Sequence, residues 1–449
     1  MREQRVVAVT GAAGQLGTLL LQRLVAVPEI DRVIAIDTRA PYVASDKLQT
    51  VIADIRDDGL ARHFVGVDAV MHCAFIVSRY ERSPRYRSVN IEGSKNVFRL
   101  ALAAGVETIV YVSSIMAYGS VPGHPVPIVE STPRVHQPDF PYAACKFELE
   151  AFLDQMEPQQ PDVAISRIRA NVLIGRKMRH MLGRAMRIGW IADPGGTPLP
   201  IVWDEDVADL MLLALRRRAR GPFNAAADEL LPSPELAART GCRSVGVSRI
   251  LLLAYVGLYE LLTHFNLHWL EDPSWVNKSR GAVLVASSAR AKSELGWSPR
   301  YPTAVAVVQR FQEIGPRVSD LRLLVVLWLI GRMSRGGLQA APGSPVCMFL
   351  CLNGPVGGDF TLRIERGRLS ARTGAIPGPT SVVTLTAELF RDLLAGREQS
   401  ERAWAEGRIA FQGAASDADA FNRLTASLAT LRTTGGVRGL VARALANCL

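Results

Sequence analysis

The stretch Arg5-Val-Val-Ala-Val-Thr-Gly-Ala-Ala-Gly-Gln-Leu-Gly17 constrains the fold of this chain more than any other. Its apolar, β-branched opening reads as a short buried strand over 5–10, and residues 16–27 read as a helix. Between them, glycines fall at 11, 14 and 17. The first allows a tight turn out of the strand. The second lets main chain approach a phosphate closely, and the third lets the helix pack on the sheet. The helix start then offers its N–H groups to an anion.

The next strand reads over 32–37 and ends on Asp37, 20 residues after Gly17. A carboxylate there can accept both hydroxyls of a ribose and repels a 2′-phosphate. The combination predicts a dinucleotide, with NAD favoured; Arg39, which can face a phosphate, leaves NADP open. Further strands read over 49–53, 68–73, 107–112 and 163–168, with helical patterns between them. That alternation predicts an α/β fold, a doubly wound parallel sheet of Rossmann type. Asp54 follows the third strand and reads either as an acceptor for the adenine amino group or as a surface acid.

Tyr142 and Lys146 stand four residues apart in Tyr-Ala-Ala-Cys-Lys, on one face of a helix. An ammonium that close favours the phenolate and lowers the phenol's pKa. Such a tyrosine can exchange a proton with an alcohol or ketone near neutral pH. Beside a dinucleotide, this predicts redox chemistry at a carbon–oxygen bond.

Composition narrows the partners. The 449 residues, 48% hydrophobic and 21% charged, are those of a globular chain of two to three domains. A net charge of +10 fits a generally basic protein, an anionic cofactor or an anionic membrane surface. No basic stripe is interleaved with aromatics, so nucleic acid is not expected. The cysteines at 73, 145, 242, 347, 351 and 448 include no C-x-x-C, and Met-Arg-Glu-Gln-Arg runs straight into a strand. The expectation is a cytoplasmic protein with reduced thiols, no metal and no secretory signal, with membrane association as the alternative location. His264 and His268 read as a packed or solvated pair, and Arg216 to Arg220 as a solvated helix end, with an anionic surface contact as the alternative. Residues 250–262 are strongly apolar and read as a buried helix of a substrate lobe. The alternative is a lid or membrane-contacting helix, since the run is too short to span a bilayer.

Residues 5–315 resemble an extended short-chain dehydrogenase/reductase of the NAD-dependent epimerase/dehydratase group. The resemblance rests on Thr10-Gly-x-x-Gly-x-x-Gly17, Asp37, Asp54, His72-Cys-Ala74, Val89-Asn90 with Gly93 and Asn96, and Tyr111-Val-Ser-Ser-Ile-Met-Ala-Tyr-Gly119. Tyr142-x-x-x-Lys146, Arg169 to Gly175 and Trp203-Asp-Glu-Asp-Val-Ala208 continue it. It implies Tyr142 as catalytic acid/base, Lys146 as the group that lowers its pKa and binds the nicotinamide ribose, and Ser114, ahead of Ser113, as the hydrogen-bond partner of the substrate oxygen. It implies Gly11, Gly14, Gln15, Leu16, Gly17, Asp37, Asn90, Tyr142 and Lys146 as cofactor contacts, Ala74 on the nicotinamide ribose side, and Asp54 with Ile55 at the adenine. Ala170 departs from the family, which often has proline after the arginine. Pairing of two copies through two helices is also implied.

A different pattern begins near 346. Strands read over 346–352, 359–365 and 380–386, then helices over 387–396 and 416–431, an α+β arrangement. We therefore divide the chain into a dehydrogenase unit over 1–318 with a substrate lobe at about 175–300, an apolar helix and linker over 319–345, and a second domain over 346–449. Residues 322–435 resemble a sterol-carrier-protein-2 (SCP2) domain through Phe360-Thr-Leu-Arg-Ile-Glu-Arg-Gly367, Thr380 to Phe390, Leu394-Ala-Gly-Arg397 and Ala403 to Gly413. Such domains enclose an apolar tunnel and bind lipids.

Tyr111-Val-Ser-Ser-Ile and the apolar 250–270 segment also resemble the 3β-hydroxysteroid dehydrogenase branch. The resemblance implies a sterol or other hydrophobic alcohol handled at its 3-hydroxyl or 3-keto group. Both oxidative decarboxylation of a 4-carboxysterol, as in sterol C4 demethylation, and 3-ketosterol reduction stay open. The competing readings are a nucleotide-sugar epimerase or dehydratase, supported by Arg176, Lys177, Arg179, Arg184 and Arg187, and a non-catalytic NAD-sensing lipid carrier.

Overall fold

The opening strand β1 (Arg5–Thr10) is buried from Val7 onward, because it lies in the interior of a seven-stranded sheet. The computed structural model describes residues 5–41, 43–77, 84–176, 181–187, 189–193, 195, 197–246, 249–264, 282–314, 326–327, 329, 345–353, 358–365, 368–373 and 379–432. After β1 come α1 (Gln15–Val25), β2 (Ile30–Asp37), β3 (Leu48–Ile52) and β4 (Ala69–His72). A π-helical turn, Ser88–Gly93, leads into α2 (Ser94–Ala103), β5 (Thr108–Ser114), α3 (Pro141–Met156) and β6 (Ala164–Ala170). The chain continues through β7 (Val172–Ile174), β8 (Trp190–Asp193), β9 (Ile201–Trp203), α4 (Asp204–Arg217), β10 (Gly221–Ala225), β11 (Arg243–Gly246) and α5 (Arg249–His264).

The sheet order is β10-β6-β5-β4-β1-β2-β3. β1 pairs in parallel with both β2 and β4, and β4–β5, β5–β6 and β6–β10 are parallel too. This is the doubly wound Rossmann arrangement. Its order reverses beside β1, which opens a crevice at the carboxyl ends of the strands. Thr10, His72, Ser114 and Ala170 occupy those ends, with Thr10 opposite His72 and Ser114 opposite Ala170.

His72 fastens the crevice floor. It is fully buried, with Nδ1 2.6 Å from Thr10 Oγ1 and Nε2 2.8 Å from Ser94 Oγ. Its ring stacks on Tyr111 and meets Phe98 edge-on. Burial drives its pKa down to about 3, so it bonds as a neutral imidazole. At the opposite end of the sheet, Arg218 closes α4 in the left-handed region, with φ 48°. Its guanidinium donates to Glu107 Oε2 at 2.7 Å and to the Asp162 carbonyl at 3.0 Å.

Two-stranded pairs β7–β9 and β8–β11, with further helices such as Ser233–Thr240 and Ala289–Leu295, complete this unit, Met1–Arg39 with Gln49–Phe311. The helix expected over 250–262 is present as α5, but it is not simply buried. Leu252 is 6% exposed, whereas Ile250, Leu253 and Leu258 are 78%, 52% and 49% exposed. The segment is apolar all round, so its pattern could not reveal which face is covered. No helix among the described residues is long and apolar enough to cross a membrane. His268, one of the expected histidine pair, lies outside the described residues.

The second unit, Ala40–Leu48 with Gln312–Leu449, contains β12 (Val346–Asn353), β13 (Gly358–Glu365), β14 (Arg368–Thr373), β15 (Ser381–Thr386) and β16 (Ala410–Gly413). Its sheet runs β14-β13-β12-β15-β16, with β12 antiparallel to β13 and parallel to β15. Alternate residues Val346, Met348, Leu350 and Leu352 join one core with residues of α6 (Ala387–Ala395) and α8 (Ala415–Arg432), among them Phe390, Leu394 and Phe421. Between those helices lies the short α7 (Ser400–Ala405). The apolar helix and linker expected over 319–345 lie outside the described residues except 326–327, 329 and 345; Val326 and Leu327 are buried in this core.

Candidate active site

The glycine turn is shaped by contact. Gly11 has φ +69°, and a Cβ there would sit 2.5 Å from the Ala74 nitrogen. A Cβ on Gly17 would lie 2.1 Å from the Gly11 carbonyl oxygen, so α1 presses directly on the turn. Gly14 precedes α1 and supplies no side-chain cap, which leaves the first-turn N–H groups facing the crevice mouth. Asp37 braces this loop: its carboxylate accepts from Ala13 N at 3.0 Å and from Arg39 N at 3.1 Å. Close main-chain approach, a bare helix start and an acid at the end of β2 are what a dinucleotide requires, so these residues fit one.

The other sequence-selected residues fall around this loop. Leu16 is buried in the first turn of α1. Ala74 lies against Gly11, as just described, and Ile55 against the π-helical turn, where a Cβ on Gly93 would come within 2.7 Å of its side chain. Asp54 is partly exposed and binds the Arg56 guanidinium, with Nη2–Oδ2 at 2.7 Å. That arginine holds its carboxyl below the usual range. Asn90 is fully buried and grips Ile76 at both ends, accepting from its N–H at 2.8 Å and donating to its carbonyl at 3.0 Å. It thereby fixes the segment after β4 that carries Ala74.

Pro141 starts α3 and suits the first helical position, where no N–H is needed. The helix buries Tyr142, Lys146 and Glu150 at four-residue spacing. Lys146 is 2% exposed. Its Nζ donates to Val112 O at 2.8 Å and Tyr111 Oη at 3.1 Å, and lies 3.7 Å from the Phe75 ring centroid. Burial pulls its pKa down to about 7, against the opposing charge of Glu150. Tyr142 meets Phe75 edge-on, with centroids 5.4 Å apart, and Lys146 Nζ is 5.8 Å from the Tyr142 ring.

The two serines closing β5 have different partners. Ser113 Oγ donates to Glu150 Oε1 at 2.5 Å. Ser114 Oγ accepts from Met116 N at 3.2 Å and donates to Ala170 O at 3.4 Å, at the strand-end position facing the crevice. Glu150, fully buried, also binds Arg169 Nε at 3.0 Å and Arg134 Nη1 at 3.3 Å. Burial opposes the charge on Arg169, but Glu150 outweighs it and raises that pKa. Arg169 continues to Tyr118 Oη at 2.7 Å. Glu150 escaped the sequence reading, although its spacing from Lys146 repeats that of Lys146 from Tyr142.

Two further polar residues lie in stretches that carry the family resemblance, Arg169 to Gly175 and Trp203 to Ala208, but were given no role there. Asn171, 3% exposed, follows Ala170, and neither its side-chain nitrogen nor its oxygen has a hydrogen-bond partner. Asp204, at the start of α4, accepts from Gln15 Nε2 at 2.7 Å.

Comparison with known proteins agrees with this geometry. The sequence profile of the NAD dependent epimerase/dehydratase family matches residues 7–226. An uncharacterized protein of Mycobacterium bovis is 30% identical over 341 residues, covering 69% of this chain and 84% of that protein. A 3-beta-hydroxysteroid dehydrogenase of Mycolicibacterium neoaurum is 36% identical over 120 residues, 24% of this chain and 31% of that enzyme. Among solved structures, a UDP-glucose-4-epimerase of Stenotrophomonas maltophila with bound NAD has TM-score 0.53 and 21% identity, covering 68% of this chain and 96% of that one. A dTDP-glucose 4,6-dehydratase of Streptomyces venezuelae with NAD bound has TM-score 0.52 and 23% identity over the same shares. With its doubly wound sheet, glycine cradle and Tyr142–Lys146 helix, the chain belongs to the NAD-dependent epimerase/dehydratase family.

Proposed function

We propose that this protein is an NAD-dependent oxidoreductase acting on the 3-hydroxyl or 3-keto group of a sterol or similar hydrophobic alcohol. The observation that carries the redox part is the burial of Tyr142 and Lys146 on one face of α3, with Lys146 bound to the main chain of β5, the strand that Ser114 closes. Gly11, Gly14, Gln15, Leu16 and Gly17 hold the diphosphate, Asp37 the adenosine ribose, Asp54 with Ile55 the adenine, and Ala74 with Lys146 the nicotinamide side. Bound NAD supplies the hydride acceptor and its reduced form the donor.

The chain's own residues handle the proton. In alcohol oxidation, the Tyr142 phenolate takes the hydroxyl proton; in ketone reduction, the phenol returns it. The Lys146 ammonium stabilises the phenolate through its charge. Ser114 Oγ donates to the substrate oxygen as negative charge develops there. If the sterol bears a 4-carboxyl group, oxidation at C3 leaves a β-keto acid, which can lose carbon dioxide.

The steroid assignment draws support from the partial likeness to a 3-beta-hydroxysteroid dehydrogenase and from the exposed apolar residues of α5. Those residues, on a chain of net charge +10, fit contact with an anionic membrane surface from the cytoplasmic side. The second unit fits an SCP2-like lipid carrier, and two copies of the chain pair as a homodimer.

Asn171 favours a second reading. A buried amide with both ends unpaired suits a polar ligand, as in a nucleotide-sugar epimerase or dehydratase. Purified protein offered NAD or NADP with 3β-hydroxysterols, a 4-carboxysterol and nucleotide sugars separates the readings. Sterol-dependent cofactor reduction supports the first, and product mass reveals decarboxylation. Conversion of a nucleotide sugar alone replaces it with the second. Inertness toward both, with NAD still bound, leaves a non-catalytic NAD-sensing carrier.

A further inference from the structure

The acid at the start of α4 lies against the first turn of the phosphate-facing helix. Asp204 is 4% exposed, and its Oδ2 accepts from Gln15 Nε2 at 2.7 Å. Gln15 is the first residue of α1, directly after Gly14. From the other side comes the turn after β7: a Cβ on Gly175 would stand 1.9 Å from Asp204 Oδ2 and 2.3 Å from Oδ1. The carboxyl is therefore enclosed between the Gly175 main chain and the Gln15 amide.

The surrounding charges do not neutralise it. On α4 its neighbour is Glu205, a like charge. From α1 comes Arg23, whose guanidinium is bound by Asp209 at 2.5 Å and Glu205 at 3.3 Å. Asp206 accepts from the amides of Arg300 and Tyr301 instead. Beyond Gly175 the next charged residue in the chain is Arg176. Burial pushes the Asp204 carboxyl up to about 7, with the Gln15 bond opposing. Its charge therefore changes in the neutral range.

We infer that Asp204 is a positioning residue for the dinucleotide, clamping Gln15 at the first turn of α1 and making cofactor affinity fall as the solution becomes more alkaline. The inference rests on reading the glycine cradle as the NAD site. A diphosphate at the start of α1 brings negative charge toward Asp204 and favours its protonated form. The complex then holds the proton more tightly than the free protein, so binding takes up a proton and is strongest below neutrality.

The test is calorimetric titration of NAD into the full chain between about pH 6 and about pH 8.5, in two buffers of different ionisation heat, where one linked proton changes affinity by at most about tenfold per pH unit. Lys146 also titrates near 7, so the reading is the difference between wild type and Asp204→Asn, which keeps an acceptor for Gln15 without the charge. Wild type should bind several-fold more weakly at the alkaline end, with proton uptake, and Asp204→Asn should lose most of that slope. A second variant, Gln15→Ala, should bind NAD more weakly across the range. An unchanged slope in Asp204→Asn, a flat wild type, or wild-type affinity in Gln15→Ala would overturn the inference while leaving the NAD site standing. Absence of NAD binding by wild type at every pH overturns both.

Discussion

Ser113 Oγ donates to Glu150 Oε1 at 2.5 Å, while Ser114 Oγ, next along β5, bonds to the main chain of Met116 and Ala170. Adjacent strand residues point to opposite faces, so identical side chains acquire different work. Ser113→Ala should lose about 1.5–3 kcal/mol of stability, the scale of a hydrogen bond to a charged group, with turnover nearly intact. Ser114→Ala, which removes the acceptor of the Met116 N–H, should cost only about 1 kcal/mol and lower kcat by about 100-fold or more, as loss of an oxyanion donor does. Paired denaturation and rate measurements check both; equal rate losses would refute the division.

Tyr142→Phe keeps the ring against Phe75 and removes the ionisable hydroxyl. Turnover should fall by about 100- to 10,000-fold, the range for a positioned acid/base. NAD affinity, followed by calorimetry, should stay within a small factor of wild type. Retained turnover would remove the proton-transfer role from Tyr142.

Lys146 links stability to pH. Its folded pKa, about 7, lies below the unfolded lysine value because burial disfavours the ammonium. Above the folded pKa and below about 10, the unfolded chain holds a proton that the folded chain does not, so stability rises with pH there. Urea unfolding without cofactor should show Lys146→Met losing up to about 1.4 kcal/mol of this rise per pH unit. Parallel curves for the two proteins would contradict it.

Arg169 and Glu150 form a buried ion pair at 3% and 0% exposure. Arg169→Met leaves the Glu150 carboxylate with the Arg134 ion pair and the charge of Lys146 one turn back, and should cost about 3–5 kcal/mol. Adding Glu150→Met removes the stranded charge and should recover much of that loss. Thermal unfolding of single and double variants measures the recovery, and its absence would count against a charge-based account.

The parts of this molecule written in local periodicity were readable in advance. β1, the glycines and Asp37 specify a strand, a turn and a strand end within a few dozen residues, and Tyr142–Lys146 specifies one helix face. β10 was not readable: Gly221-Pro-Phe-Asn-Ala225 opens with two residues that disfavour strands, and only its pairing with β6 makes it one. The polar β14 and the four-residue β16 escaped for a similar reason, since their neighbours in the sheet decide them. Asp204 lies in the Trp203–Ala208 stretch that carries the family resemblance, but nothing in that stretch assigns it a role. Its burial is set by Gly175 and Gln15, neither of which its local sequence reveals.

Arg218 gives this architecture a practical handle. It holds a left-handed backbone at the far end of α4, and its contacts reach Glu107 and Asp162, ahead of the strands whose opposite ends carry Ser114 and Ala170. An engineer seeking a hardier catalyst can therefore vary residue 218, exchanging backbone strain against surface contacts, while the reacting end of the sheet keeps its geometry.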